Sequence, residues 1–428
     1  MISILAALVL TQSWPGPAPR PRVFRTDGPE RLSRLGSDDY AFFEFAPLSG
    51  AGMGTACACL PVTGAKGETL TYTRTASTTC TKGNVLTGIA DGDLVVCPAD
   101  RPLVMPGNDG TGPLGILMEG TRVNRLIQSA ELCNVAWSDV GTPTCDANAL
   151  IGPFNTLTME RITDDDGAAK EGRSQPASTT SQTKHTGSCY VKAGTADSVT
   201  ISMVGTGNSA GDCSATFTGL STTTSTRAFC TSPAAYGAGL TAVTVSILVG
   251  STVGVTGSVY VEACQHEAAS PLNATSYIPT TTTTVTRGNP SMLLASSTSS
   301  LTISMAATII PDWTTTSLAA AGAPGIITMN GANGSSLYIS TNLRFLTGAT
   351  ANPSSAVTSA KPVRVYGYDN GTNAVNSYGV NTNSVATGAA ANRFGTSIGI
   401  GTGAPAGVNL LSGVIKQVCI DTNPLRCR

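Results

Sequence analysis

Hydrophobic positions along the chain recur in short runs with a period of two, and Gly, Ser, Thr, Asn and Pro fill the gaps between them. That is the pattern of half-buried β-strands joined by turns. Residues 69–74 alternate as Thr-Leu-Thr-Tyr-Thr-Arg, and apolar runs begin at Leu94, Leu103 and Leu114. From Arg125 to Arg287 the predicted strands lengthen, to 156–161, 187–192, 198–204, 215–219, 240–249 and 257–264. Their spacing of roughly 10–20 residues predicts a two-sheet antiparallel sandwich, for which a jelly roll is the natural candidate. Beyond a threonine connector at 280–284, runs at 301–310, 325–329, 336–339, 362–368 and 413–420 predict a second sandwich. The Gly- and Asn-rich stretch 371–407 reads as long loops or short edge strands, and no helix longer than about three turns is signalled outside 29–35.

The expected fold class is therefore all-β, with tandem antiparallel β-sandwiches after an N-terminal arm and a small β segment. Four segments follow from the pattern: an arm over 1–50, a small β docking segment over 51–124, a jelly roll over 125–287 and a second sandwich over 288–428. Only 12% of the 428 residues are charged and the formal net charge is -1, so no basic field exists to hold a phosphate backbone. No nucleic-acid partner is expected. No stretch approaches the roughly 18–20 consecutive apolar residues of a membrane span.

With two histidines, His185 and His266, a His-rich metal site or a His-based triad has few candidates, and both residues read as members of loops or strand faces. Twelve cysteines avoid the CxxC…CxxC spacing of structural zinc and read as disulfide candidates. Close spacing suggests Cys133 with Cys145, Cys213 with Cys230, and Cys419 with Cys427. Adjacent strands could bring Cys189 near Cys264, although spacing alone leaves connectivity open. An oxidising final environment follows.

Residues 2–10 form an apolar run of signal-peptide length, without the positive n-region or an Ala-x-Ala site. The competing reading is a short apolar peg on the Pro-rich spacer 15–21, docking into a partner protein. Arg20, Arg22, Arg25, Arg31 and Arg34 follow, as a solvated arm or a docking surface.

Three ordered stretches resemble segments of bacteriophage virion proteins of the head-spike and tail-fibre type. Thr69-Leu-Thr-Tyr-Thr-Arg-Thr-Ala-Ser-Thr, with Gly115-Ile-Leu-Met-Glu-Gly-Thr-Arg-Val-Asn, resembles the family's "TRAST … GLLIE-x-x-RTN" segment, with an altered strand between the two parts. Asn124-Arg-Leu-Ile-Gln-Ser-Ala-Glu-Leu-Cys-Asn-Val-Ala-Trp137 is similar to its "N-L-L-x-x-S-E-x-F-x-x-x-x-W" opening of a jelly roll of carbohydrate-binding-module type. Cys189-Tyr-Val-Lys-Ala-Gly194, Val259-Tyr-Val-Glu-Ala-Cys-Gln-His-Glu267 and Thr275-Ser-Tyr-Ile-Pro-Thr280…Val285-Thr-Arg287 resemble the signatures that close that domain. The resemblance covers roughly 69–290, and Cys133, Cys189 and Cys264 depart from it. It implies a concanavalin-A-like or laminin-G-like sandwich at the C-terminus, a homotrimer and an exposed position on a virion.

A glycan hydrolase needs two facing carboxylates. From Asn289 to Arg428 there is no Glu, and the acids are Asp312, Asp369 and Asp421, on separate segments. Glu160, Glu262 and Glu267 of the first sandwich read as solvated or paired strand-end residues. Asp164-Asp165-Asp166-Gly167 reads first as a solvated turn, since it lacks the alternate spacing of an EF-hand loop. Jelly rolls of the resembled type can carry a structural calcium, which keeps Asp164 and Asp166 as metal candidates; no other cofactor is implied.

Sugar recognition wants an aromatic ring beside polar groups. Trp137, Tyr190, Tyr236, Tyr260 and Tyr277 are the first sandwich's candidates, with Trp137 and Tyr190 reading as core. Tyr366 and Tyr368 share a strand face beside Asp369 and Asn370, and these four are the expected glycan contacts. The sequence thus predicts a non-enzymatic virion structural protein, a spike, fibre or capsid decoration, joined to other virion proteins through its arm and touching host surface glycans. The alternative is a secreted bacterial adhesin or carbohydrate-binding protein.

Overall fold

A computed structural model describes residues 115–154, 156–268 and 274–288, together with Arg74 and the backbone of the flanking strands named below. The chain divides into two units, Met1–Ser37 and Asp38–Arg428. The expected arm falls outside the described residues, apart from a strand at Ala41–Glu44. The described residues form strands and turns with no α-helix, and every strand pairing is antiparallel.

Between Ser138 and Ala268 the chain builds two five-stranded sheets. One runs in the order Thr144–Ile151, Leu157–Asp164, Gly257–Ala268, His185–Ala193, Thr226–Thr231. The other runs Cys213–Phe217, Val199–Thr206, Ala242–Val249, Gly172–Ser178, Ser138–Val140. The chain passes back and forth between the sheets, which is jelly-roll connectivity.

Alternation decides which side chains meet between them. Val243, Val245, Ile247 and Val249 point inward from one strand, and Val199, Ile201 and Met203 from its neighbour. Cys189, Val191, Val259, Val261 and Ile162 answer from the opposite sheet. β-branched residues suit this pleated surface, and burying each Val or Ile contributes about 1.5–3 kcal/mol. Trp137 closes one end, its indole Nε1–H donating to Gln128 O at 3.1 Å.

Three disulfides staple the sandwich: Cys133–Cys145, Cys189–Cys264 and Cys213–Cys230. The last joins edge strands of the two different sheets. All three are pairings the sequence suggests, whereas the Cys419 and Cys427 pair lies outside the described side chains.

The sandwich begins and ends in one short ladder, Arg122–Asn124 paired with Val285–Arg287. Beneath it lies the irregular segment 274–280, most of which is buried. Its backbone has no sheet to pair with, so side chains satisfy it. Asn124 Nδ2 donates to Ile278 O (2.9 Å) and Cys264 O (3.1 Å), while its Oδ1 accepts from the N–H of Leu126 and His266. Gln265 Oε1 accepts from Ile278 N–H, and Glu119 Oε1 from Ser276 N–H at 2.7 Å. Arg287, 1% exposed, holds the centre: it pairs with Glu119 at 3.0 Å and donates to Ser276 O and Thr275 Oγ1. Glu267 takes the N–H and hydroxyl of Thr275.

Strands on either side of the sandwich in sequence share sheets. Gly115–Met118 pairs with Gly413–Asp421, which also pairs with Ala41–Glu44 and Ile303–Pro311. That eight-stranded sheet adds Ala58–Cys59, Leu103–Met105, Val363–Asp369 and Gly379–Val380. A seven-stranded sheet joins Thr71–Thr73 to Ser291–Ala295, then Ser397–Ile400, Gly325–Asn330, Ser336–Ile339, Leu343–Thr347 and Thr350–Ala351. Thr78–Thr81 pairs with Leu94–Cys97. The stretches expected as separate units, 51–124 and 288–428, are thus linked by strand pairing, and the jelly roll is inserted between them. Short strands such as Thr71–Thr73 bury too little alone and find partners in a larger sheet.

Arg287→Ala leaves Glu119 buried without its cation, so the sandwich should lose about 3–5 kcal/mol, read as a lower urea midpoint. An unchanged midpoint would show that the ladder does not depend on this pair.

Candidate functional site

The chain crosses from one sheet to the other through the turn between Leu157–Asp164 and Gly172–Ser178. Three carboxylates converge there: Asp164 at the strand end, Asp166 in the turn and Glu171 just before the next strand. Each offers an oxygen, and the three lie within 4.8 Å of one another. Gly167, at φ +63°, makes the bend.

Part of each carboxylate is used locally. Asp164 Oδ2 accepts from Glu171 N–H at 3.1 Å, and Asp166 Oδ1 from Ala168 N–H at 2.7 Å. Glu171 Oε1 accepts from both the N–H and hydroxyl of Thr142. A side chain at Gly141 would collide with Glu171, since a Cβ there would stand 2.6 Å from Oε1. The remaining oxygens, Asp164 Oδ1 and Glu171 Oε2, are buried with no hydrogen-bond donor. Both residues are only 1% exposed; of the expected solvated turn Asp165 and Asp166 do meet solvent, whereas Asp164 is corrected to a buried position. Lys170 turns away, donating to Thr200 Oγ1 and Ser251 O. Buried acids without a cation carry a large desolvation cost. Hard oxygen donors at this separation fit a divalent cation of the calcium class. Sequence reasoning found Asp164 and Asp166 and missed Glu171, whose signal was an acid directly before a Gly-initiated strand.

Other acids expected to be solvated or paired are also buried. Glu262, 1% exposed, lies beneath the 151–154 loop, and a Cβ on Gly152 would fall 1.9 Å from its Oε2. Burial pushes its carboxyl up to about 7, aided by the nearby Glu160 charge and opposed by Lys192. Lys192 is itself tied to the loop through Ile151 O. Glu160 is likewise raised to about 7 by burial, while the backbone N–H of Cys133 lowers it. Glu267 accepts from Thr275.

The two histidines sit on neighbouring strands and touch, His185 Nδ1 to His266 Nε2 at 3.0 Å. Because His185 Nε2 faces Ser181 O, it must donate, which makes Nδ1 the acceptor and His266 Nε2 the donor. His266 Nδ1 is then a buried lone pair. Burial and the Arg125 charge lower both pKa values, His266 well below the ordinary range. The pair is a neutral structural contact.

Trp137, Tyr190, Tyr236 and Tyr277 are all buried, which leaves Tyr260, half-buried, as the first sandwich's accessible aromatic among those expected. Tyr190 lies outside the main core, packed with Ala263, Tyr277 and Phe154 and with Arg227 5.4 Å from its ring centre. Tyr366, Tyr368 and Asp369 fall on the Val363–Asp369 strand, whose backbone alone is described, and Asn370 lies outside the described residues. Among the described residues no helix is long and apolar enough to cross a membrane.

No protein-family model matches the chain. No curated protein matches it. Among solved structures, it is similar to the N-terminal tandem pair of CBM22 modules of Xyn10C from Paenibacillus barcinonensis. The identity is 10% and the TM-score 0.26, over 72% of this chain and 98% of that one. A superposition that loose carries no argument about fold or function.

Calcium at about 100 times its dissociation constant should stabilise the sandwich by about 2.7 kcal/mol, with chelator reversing it and Asp164→Asn abolishing it. A thermal midpoint indifferent to calcium would refute the cage. For Glu262 the sign is set by its raised value: its contribution is full below the unfolded value near 4.5 and is lost as pH rises toward about 7. Glu262→Gln should therefore match the parent at pH 4.5 and exceed it by about 2–3 kcal/mol at pH 8. Equal stabilities at pH 8 in a denaturant titration would contradict this.

Proposed function

We propose that the chain is a non-enzymatic structural protein exposed on a bacteriophage particle, a spike, fibre or capsid decoration that contacts host surface glycans. One observation carries the reading. Residues from several of the stretches that resemble virion spikes and fibres interlock at the base of the sandwich. Glu119 comes from the stretch 115–124 and Asn124 closes it, Gln265 and Glu267 come from Val259–Glu267, Thr275 and Ser276 from Thr275–Thr280, and Arg287 from Val285–Arg287. These seven residues, drawn from motifs far apart in sequence, share one physical job, which supports the resemblance being more than local. In this reading the inserted jelly roll is a display module, the homotrimer follows the resembled family, and 1–50 joins the chain to other virion proteins. Tyr366, Tyr368, Asp369 and Asn370 remain the proposed glycan contacts.

A second reading, a secreted bacterial adhesin, is favoured by the three disulfides, which suit an oxidising, extracellular setting. One set of particle preparations separates the two. A chain lacking 1–50 should fold yet be missing from purified particles, and particles carrying Tyr366→Ala with Tyr368→Ala should adsorb poorly to host cells. Incorporation of the truncated chain would refute the anchor, and unchanged adsorption the glycan contact. A chain found by mass spectrometry only in the medium, cleaved after its apolar run, would establish the adhesin instead.

A further inference from the structure

Beside the Cys133–Cys145 disulfide lies a buried acid with no salt-bridge partner among the described residues. Cys133 is in the turn that follows Leu132, Cys145 is on the edge strand Thr144–Ile151, and Glu160 is on the adjoining strand Leu157–Asp164. Cys145 is in register with Ile162, two residues from Glu160, which puts both on one face of the sheet. Both sulfurs and a Glu160 carboxyl oxygen lie within 4.8 Å of one another.

We propose that in the reduced chain Cys133, Cys145 and Glu160 form a zinc site, which formation of the disulfide closes. Two thiolates and a carboxylate are a zinc donor set, with metal bonds of about 2.0–2.3 Å and tetrahedral edges of roughly 3.3–3.8 Å. The three atoms lie within 4.8 Å of one another, and reduction frees the two sulfurs, bonded to each other in the disulfide, to separate to those edges. Water takes the fourth position.

The acid itself is the second observation. Glu160 is 3% exposed; it accepts the Cys133 backbone N–H, but among the described residues no salt bridge reaches it. Arg173, whose charge acts on it, spends its donors on Leu132 O, Asn134 O, Trp137 O and Asp139. The Cys133 N–H offsets part of the cost of burying this carboxyl, but among the described residues no counter-charge pairs with it. Beside a dithiolate, it completes a cation site.

The chemistry balances. Two equivalents of a thiol reductant deliver two electrons and two protons, giving both cysteine thiols and the reductant's disulfide. Zinc binding then releases the two thiol protons, and the carboxyl proton where Glu160 holds one. Oxidation by a disulfide-class oxidant removes two electrons from the thiolates, re-forms the bond and expels the zinc ion. This inference does not rest on the virion reading, since it requires only a reducing stage before an oxidising one.

The test uses the full chain, reduced by a phosphine without oxygen and titrated with Co²⁺ as a spectroscopic stand-in for zinc. One tightly bound Co²⁺ with a thiolate charge-transfer band is expected. The band should vanish in Cys133→Ser, weaken in affinity by more than about tenfold in Glu160→Gln, and persist in Cys213→Ser. Zinc should also shield Cys133 and Cys145 from alkylation in peptide mapping. A band that survives Cys133→Ser, or an affinity unchanged by Glu160→Gln, would overturn the proposal. So would a reduced chain that fails to fold with zinc supplied, because the ligands come from three separate segments.

Discussion

A buried stretch of irregular backbone must find hydrogen-bond partners that no strand can supply, and the base of this sandwich is arranged around that need. The 274–280 segment runs under the ladder without sheet neighbours. Asn124 uses both amide hydrogens and its oxygen on four backbone groups, and Gln265 and Glu119 take two more N–H groups. Each of these side chains has one geometry that works, so the segment fixes the ladder and the ladder fixes where the sandwich starts and stops. Thr280 repeats the device at the far end, where its N–H meets Ser129 Oγ and its hydroxyl meets Leu126 O.

The same economy shows in how the sandwich handles charge. The chain carries few ionisable groups, yet Glu160, Asp164, Glu171, Glu262, Glu267, Arg173 and Arg287 are all buried in or around the sandwich. Several tie down backbone that strands leave open; Arg173, for example, collects three carbonyls of the 132–137 turn. Their pH dependences oppose one another. The raised carboxyls favour the folded state on the acid side, whereas the neutral histidine pair favours it above the ordinary histidine range, so each limits stability at one end.

How far the sequence could be read depended on whether apolar alternation was present. Ala242–Val249 alternates cleanly and was predictable to within two residues, as was Val199–Thr206. Gly172–Ser178 reads Gly-Arg-Ser-Gln-Pro-Ala-Ser and escaped notice, because its inward positions hold Arg173 and Gln175, which bond to neighbouring turns. Its Pro176 lies past the end of the short Ser138–Val140 partner, where one side of the strand is free. Thr144–Ile151 escaped for another reason: as an edge strand it is only partly covered on either face. Disulfide pairs were legible from spacing once strands were assigned. Glu171 was not, since only the crossing between sheets brings it back to Asp164, and the burial of Glu262 depends on a loop folding over it.

Entry and exit through one ladder also determine how the molecule answers to pulling. Tension carried along the chain from Gly115–Met118 to Ser291–Ala295 reaches Arg122–Asn124 and Val285–Arg287 side by side, and opens that pair in zipper fashion, a rung at a time. The disulfide-stapled sandwich hangs beyond the zipper. A load on the flanking sheets therefore meets the three-rung ladder and its Arg287–Glu119 pair first, and the slack released when they open is capped by the Cys133–Cys145 and Cys189–Cys264 bonds.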